Sequence, residues 1–236
     1  MIIRNKKMFG IGSFAATTFL GVLLLIFSPV FHGKNGLQFA DDSFNQLSKG
    51  SSYFIPKVSK SVEKLTGKQL KQEVKFDVAE DAEAAAKLFA SAGAKAEVKD
   101  TTLSIEGDFA AILKSTVADS DAMFKNDGKT VADKYGMDEK KTMKNWWTAL
   151  SKIEKNLKKE KLVEEAKIVN EVNKKAIEPA YNFYKIEGQK VADHAGMLGG
   201  LLVFYVAYTM WWGYSIFYMF DGLGLSMKKA KVKKEA

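Results

Sequence analysis

Two histidines, His32 and His194, are the side chains in this sequence best suited to hold haem iron, and there is no cysteine to assist them. Each borders a long apolar segment, so an antiparallel pairing of those segments would bring both imidazoles to one level, with Asp193 beside the second. Such a pair ligates haem or hydrogen-bonds a quinone head group. The ordinary alternative is that each ring makes backbone or water hydrogen bonds at a segment end. No neighbouring motif adds a ligand, so no cofactor and no metal is expected, and His32 and His194 stand as the only cofactor-binding candidates.

The acidic residues offer no catalytic pair. Asp221, just before Gly222, reads as an interfacial carboxylate that needs no special partner. Asp41 and Asp42, and the run Glu80, Asp81 and Glu83, suit helix starts, where negative charge meets unpaired amides. Trp146 and Trp147 are adjacent and could stack a ligand, but Trp146 falls in a heptad seam where core packing accounts for it. Trp147 is left without a packing role. No enzyme activity is expected.

Charge excludes a further class. The chain of 236 residues carries a net charge of +8, yet Arg4 is its only arginine. Lysine cannot supply the bidentate fork on which base recognition leans, so no nucleic-acid partner is expected. Eight of the basic residues (Arg4, Lys6, Lys7, Lys228, Lys229, Lys231, Lys233 and Lys234) lie beyond the outer ends of the two apolar segments.

Those segments organise the rest. Met197–Phe220 runs 24 residues without a formal charge, about 36 Å as a helix and long enough to cross a bilayer. Phe9–Val30 is the second such run; it exceeds a signal-peptide core and lacks a small-residue cleavage site, so an uncleaved anchor is expected. Basic flanks on both sides place both termini in the cytoplasm, and the long loop between them outside it. The expected fold is an α+β membrane protein with two transmembrane helices flanking an extracytoplasmic β-α-β-β-α unit and a long helical stalk. The expected division is a cytoplasmic N-terminus at 1–7, a first span at 8–31, short helices at 32–72, the α+β unit at 73–125, the stalk at 137–195, a second span at 196–221 and a basic tail at 222–236.

Within the loop, Val74, Phe76 and Val78 alternate with polar residues and predict a strand, Val74–Val78. Glu80–Ala92 reads as a helix closed by Gly93, and Ala94–Lys99 with Thr102–Glu106 as a hairpin about Asp100-Thr101. Asp108 caps a helix beginning at Phe109, and Lys125–Gly136 reads as a connector. From the cap Asp138, the seam Met143, Trp146, Leu150, Ile153, Leu157 is followed by a second, out-of-phase seam through Leu162, Ala166, Val169, Asn173, Ala176 and Ala180. Between the seams the chain either runs on with a discontinuity or folds back as a hairpin, and the absence of Gly and Pro there favours a continuous or kinked helix, with Pro179 kinking it or starting another.

The functional expectation is a non-catalytic accessory, assembly or structural subunit of a larger inner-membrane complex, in contact with lipid and preferentially with foreign subunits. Tyr208, Trp211 and Trp212, polar-tipped aromatics in the middle of the second span, and the Gly196-to-Gly200 spacing are the expected interface. Gly196 and Gly200 are expected to meet Phe27–Val30 of the first span or a helix of another subunit. Two alternatives have the same two-span plan. One is an envelope scaffold whose topology is similar to that of polysaccharide co-polymerases, a homo-oligomer; the other is an extracytoplasmic ligand sensor.

Overall fold

The computed structural model describes residues 3–225; most of the basic tail lies outside them. The described chain forms two compact units, one of residues 1–44 with 190–236 and one of residues 45–189.

The first unit is built on two helices long and apolar enough to cross a membrane, with mean hydropathies of 2.1 and 1.3. Helix α1 is Lys6–Phe27, followed by a tight Phe31–Lys34 turn and by α2, Gly36–Ser51, whose C-terminal residues belong to the second unit.

The second unit continues with α3 (Ile55–Glu63), β1 (Gln69–Lys75), α4 (Ala79–Ser91), β2 (Lys95–Lys99), β3 (Thr102–Asp108) and α5 (Phe109–Phe124). The predicted β-α-β-β-α order is present, as an antiparallel sheet of order β1-β3-β2 with Val74 and Val98 both opposite Leu103. Strand β1 begins five residues before Val74 and ends before Phe76. Its inward positions are Leu70, Gln72 and Val74; Gln72 breaks the apolar alternation because its amide is taken up by both oxygens of Glu160, at 3.0 and 2.9 Å. Phe76 is still buried, its amide donating to Thr101 O, whereas Val78 is an exposed helix cap. The opposite sheet face is uniformly polar, as antiparallel sheets with one solvated face are.

The connector expected at Lys125–Gly136 contains helix α6, Gly128–Tyr135, opened by the Asp127 side chain and closed by Gly136 at φ +64°. Helix α7, Glu139–Lys159, is capped by Asp138 as expected, and Met143, Trp146, Leu150, Ile153 and Leu157 are all buried. It does not continue. Leu162 N donates to Leu157 O (2.9 Å) and Lys161 N to Lys158 O (3.2 Å), the paired bonds of a Schellman stop, with Lys161 at φ +64° in the position usually held by glycine. Helix α8, Val163–Val172, turns back and packs along α7. The expected stalk is therefore a hairpin, and its buried residues join one core with the sheet and α4. The signal was hidden because an αL stop was carried by lysine.

After α8 the chain widens into a π-helical turn, Asn173–Ile177, in which Glu178 N donates to Asn173 O, and then forms α9, Glu178–Asn182, with Pro179 in its first turn. The proline ring would strike the carbonyl four residues earlier in a regular helix, and the extra residue per turn moves that carbonyl aside. The final helix, α10, is Ala195–Leu223.

Two outcomes follow for stability. Lys161→Gly removes the cost of an L residue in the left-handed region and is expected to stabilise the protein by about 1 kcal/mol, read as a raised thermal midpoint. Across the hairpin, burial pushes the Glu154 carboxyl up, but hydrogen bonds from Lys158 and Asn170 outweigh it and hold the carboxyl below its ordinary range. The unfolded chain then binds more protons in the window below the ordinary value, so stability rises with pH through that window and is lost as acid protonates the folded state. Unfolding measured from about pH 6 down to about pH 3 should show a slope that Glu154→Gln reduces.

Candidate functional site

Each unit presents one candidate surface. In the first, α1 and α10 lie in contact, and glycine sets how closely. A Cβ at Gly12 would fall 2.5 Å from Met219 N, and one at Gly222 would fall 2.5 Å from Phe9 N, so only hydrogen fits at either position. The Gly222 carbonyl accepts from Arg4 N and Asn5 N, both at 2.9 Å, satisfying donors just ahead of α1. Toward the middle the contact becomes aromatic: Phe19 is stacked on Tyr208 at 4.1 Å, lies 4.7 Å from Trp212 and meets Trp211 edge-on at 6.2 Å. The Trp211 indole donates to Ala15 O at 3.0 Å, while the Tyr208 hydroxyl is enclosed without a partner. Three of the expected interface residues, Tyr208, Trp211 and Trp212, thus contact the chain's own first helix.

Gly196 and Gly200 do not. A Cβ at either position, or at Gly199, meets nothing within 4 Å, so the expected contact with Phe27–Val30 is not made. The close glycine contacts of this helix pair belong to Gly12 and Gly222, at the other end of α10. His32 occupies a tight turn at φ +53° and is exposed; His194 is half-buried at the start of α10, its Nδ1 3.3 Å from Lys190 O. Among the described residues no group of three or more His, Asp or Glu side chains is arranged to hold a metal ion.

In the second unit the side chain that sequence reading missed is Asp119, buried on α5. Its Oδ1 accepts from Lys134 Nζ at 2.7 Å, and its Oδ2 from the Tyr135 hydroxyl at 2.5 Å and the Trp146 indole at 3.1 Å. Burial and the bond to Asp119 push the Tyr135 phenol up; burial lowers Lys134, but its bonds to Asp119 and Tyr135 outweigh that and raise it overall. The network is satisfied at every oxygen and closed to ligand. A buried cation, Lys49, donates to Asn126 Oδ1 (2.8 Å) and Ile186 O (2.5 Å), fastening the segment after α9 onto α2. Burial lowers its affinity for a proton, partly offset by Glu187.

One open groove of this unit lies between α7 and the π turn with α9. Buried Met143 and Ile177 form its floor, and Trp147 and Tyr181, 40% and 37% exposed, stand at its sides. The Trp147 indole donates to Glu178 Oε1 at 3.0 Å, and the same oxygen receives Lys174 Nζ at 2.7 Å. Lys140 Nζ stands 5.3 Å from the centre of the Tyr181 ring. Trp146 is fully buried against Phe89, so of the tryptophan pair only Trp147 faces outward.

Asp119→Ala would strand the Tyr135 hydroxyl and the Trp146 indole inside the core and is expected to cost about 3–5 kcal/mol, whereas Asp119→Asn, which still accepts, costs less. Denaturant unfolding followed by tryptophan emission distinguishes the two. No protein-family model, no curated protein and no solved structure matches this chain.

Proposed function

We propose that this chain is a non-catalytic accessory subunit, anchored by α1 and α10 in the inner membrane with both termini in the cytoplasm and residues 45–189 outside it. The observation that carries the reading is a second seam on α10. Gly196, Gly200, Val203, Ala207, Met210 and Tyr214 are spaced four and three residues apart in alternation, and every one is exposed. That is the spacing by which one helix packs along another. The seam bound to α1 runs instead through Tyr208, Trp211, Ser215, Met219 and Gly222, so α10 has one seam filled and one vacant. Small residues at the vacant seam's first half let a second backbone approach closely, and Tyr214 at its far end brings a hydroxyl that hydrocarbon cannot satisfy. A helix of another membrane subunit meets both needs.

An envelope scaffold of that kind oligomerises through long helices, and α7 with α8 forms a packed hairpin instead. The hetero-complex reading therefore takes precedence over the homo-oligomer.

Mild detergent extraction of the tagged full chain tests it. Foreign subunits are expected to copurify with the native chain and to be lost in Gly200→Leu and in Ala207→Leu, with membrane insertion retained. Recovery of the chain alone or as a homo-oligomer, or unchanged partners in both variants, would overturn the reading.

A further inference from the structure

The geometry points to the groove of Trp147 and Tyr181 as a binding site for a segment of acidic polysaccharide. The argument begins with what the groove can offer. Its walls, residues 143–148 and 177–182, lie in helical turns, and no strand edge borders the groove to which an extended peptide could add as a further strand. A proline-rich peptide docks on aromatic grooves too, but its carbonyls are held by donors such as an indole N–H, and that of Trp147 is committed to Glu178. What remains is the indole itself, 40% exposed and held in orientation by that bond, a ring whose π face is electron-rich.

Such a face attracts either a cation or the polarised C–H groups of a sugar ring. The charges decide between them. Lys140 stands at the Tyr181 ring, Lys144 lines the groove and Lys174 is at its edge; the one carboxylate, Glu178, is already matched by Lys174. A cationic ligand is repelled and an anionic one is drawn in. Thr148 and Asn182 add a hydroxyl and a carboxamide, suited to hydroxyl-rich partners. Together these select a sugar ring carrying a carboxylate.

The π turn gives the site its form. One extra residue before Pro179 shifts the register of Ile177 and Glu178 relative to α8, which brings Tyr181 and Trp147, 34 residues apart in sequence, to the two sides of one groove.

The experiment uses the full chain in detergent micelles, titrated with hexameric oligogalacturonate and, in parallel, with neutral maltohexaose, by calorimetry and tryptophan emission. Oligogalacturonate is expected to bind at least about tenfold more tightly than maltohexaose, and Trp147→Ala to weaken it by about tenfold or more. Tyr181→Phe should keep the affinity and Tyr181→Ala lose it, while Lys144→Glu lowers affinity and flattens its dependence on salt. Far-UV circular dichroism of each variant verifies the fold, and Trp147→Phe, retaining a ring, should retain part of the binding. Equal affinity for maltohexaose, no heat or quenching with oligogalacturonate up to millimolar concentration, or undiminished binding by Trp147→Ala would overturn the assignment. Gly200→Leu, which addresses the membrane partner, is expected to leave this binding unchanged.

Discussion

The core of the second unit depends on where the indole of Trp146 is placed. Its six-membered and five-membered rings lie fully buried, edge-on to Phe89 at 5.1 Å and 70°, and its single polar atom must find an acceptor there. Asp119 supplies it, and a buried carboxylate in turn demands more than one donor. Lys134 and Tyr135 answer that demand, so one apolar side chain on α7 fixes the positions of α4, α5 and α6. The short helix α6, with little apolar surface of its own, is held by this polar chain as much as by Val131 and Tyr135 against the core.

Local patterns made much of this legible. The heptad seam of α7, the caps Asp108 and Asp138, the helix-closing Gly93, and the alternation of β3 each have their cause within a few residues. Features whose cause lies elsewhere in the chain were not legible. Gln72 interrupts β1 because Glu160, far along the sequence, accepts it. Lys161 takes a conformation usually reserved for glycine because α8 gains enough burial against α7 to outweigh the local cost. Asp119 sits among apolar residues on a helix and reveals itself only when α6 and α7 are brought beside it.

The groove shows the same limit. Trp147 stood out in the sequence as a tryptophan off the seam, but its counterpart Tyr181 lies beyond a hairpin and a π turn, neither of which has a strong local signature. The left-handed stop at Lys161 and the π turn before Pro179 together bring the two rings to one surface.

In the proposed membrane setting the apolar helices are governed by a different constraint, since contact between them then rests on fit and not on removal of apolar surface from water. Where Gly12 of α1 meets Met219 and Gly222 of α10 meets Phe9 the backbones all but touch, and where α1 reaches Tyr208 and Trp211 a layer of aromatic rings stands between them. In the antiparallel register set by the contacts of Gly12 with Met219 and of Ala15 with Trp211, Gly200 and Gly196 lie level with or beyond the end of α1 at Phe27, and their Cβ positions face open space. In the two-seam reading of α10, the positions of closest approach for its two neighbours therefore fall at opposite ends of the helix. A partner can seat itself along the glycine end without displacing α1, and the aromatic layer in the middle gives α10 the rigidity to hold both.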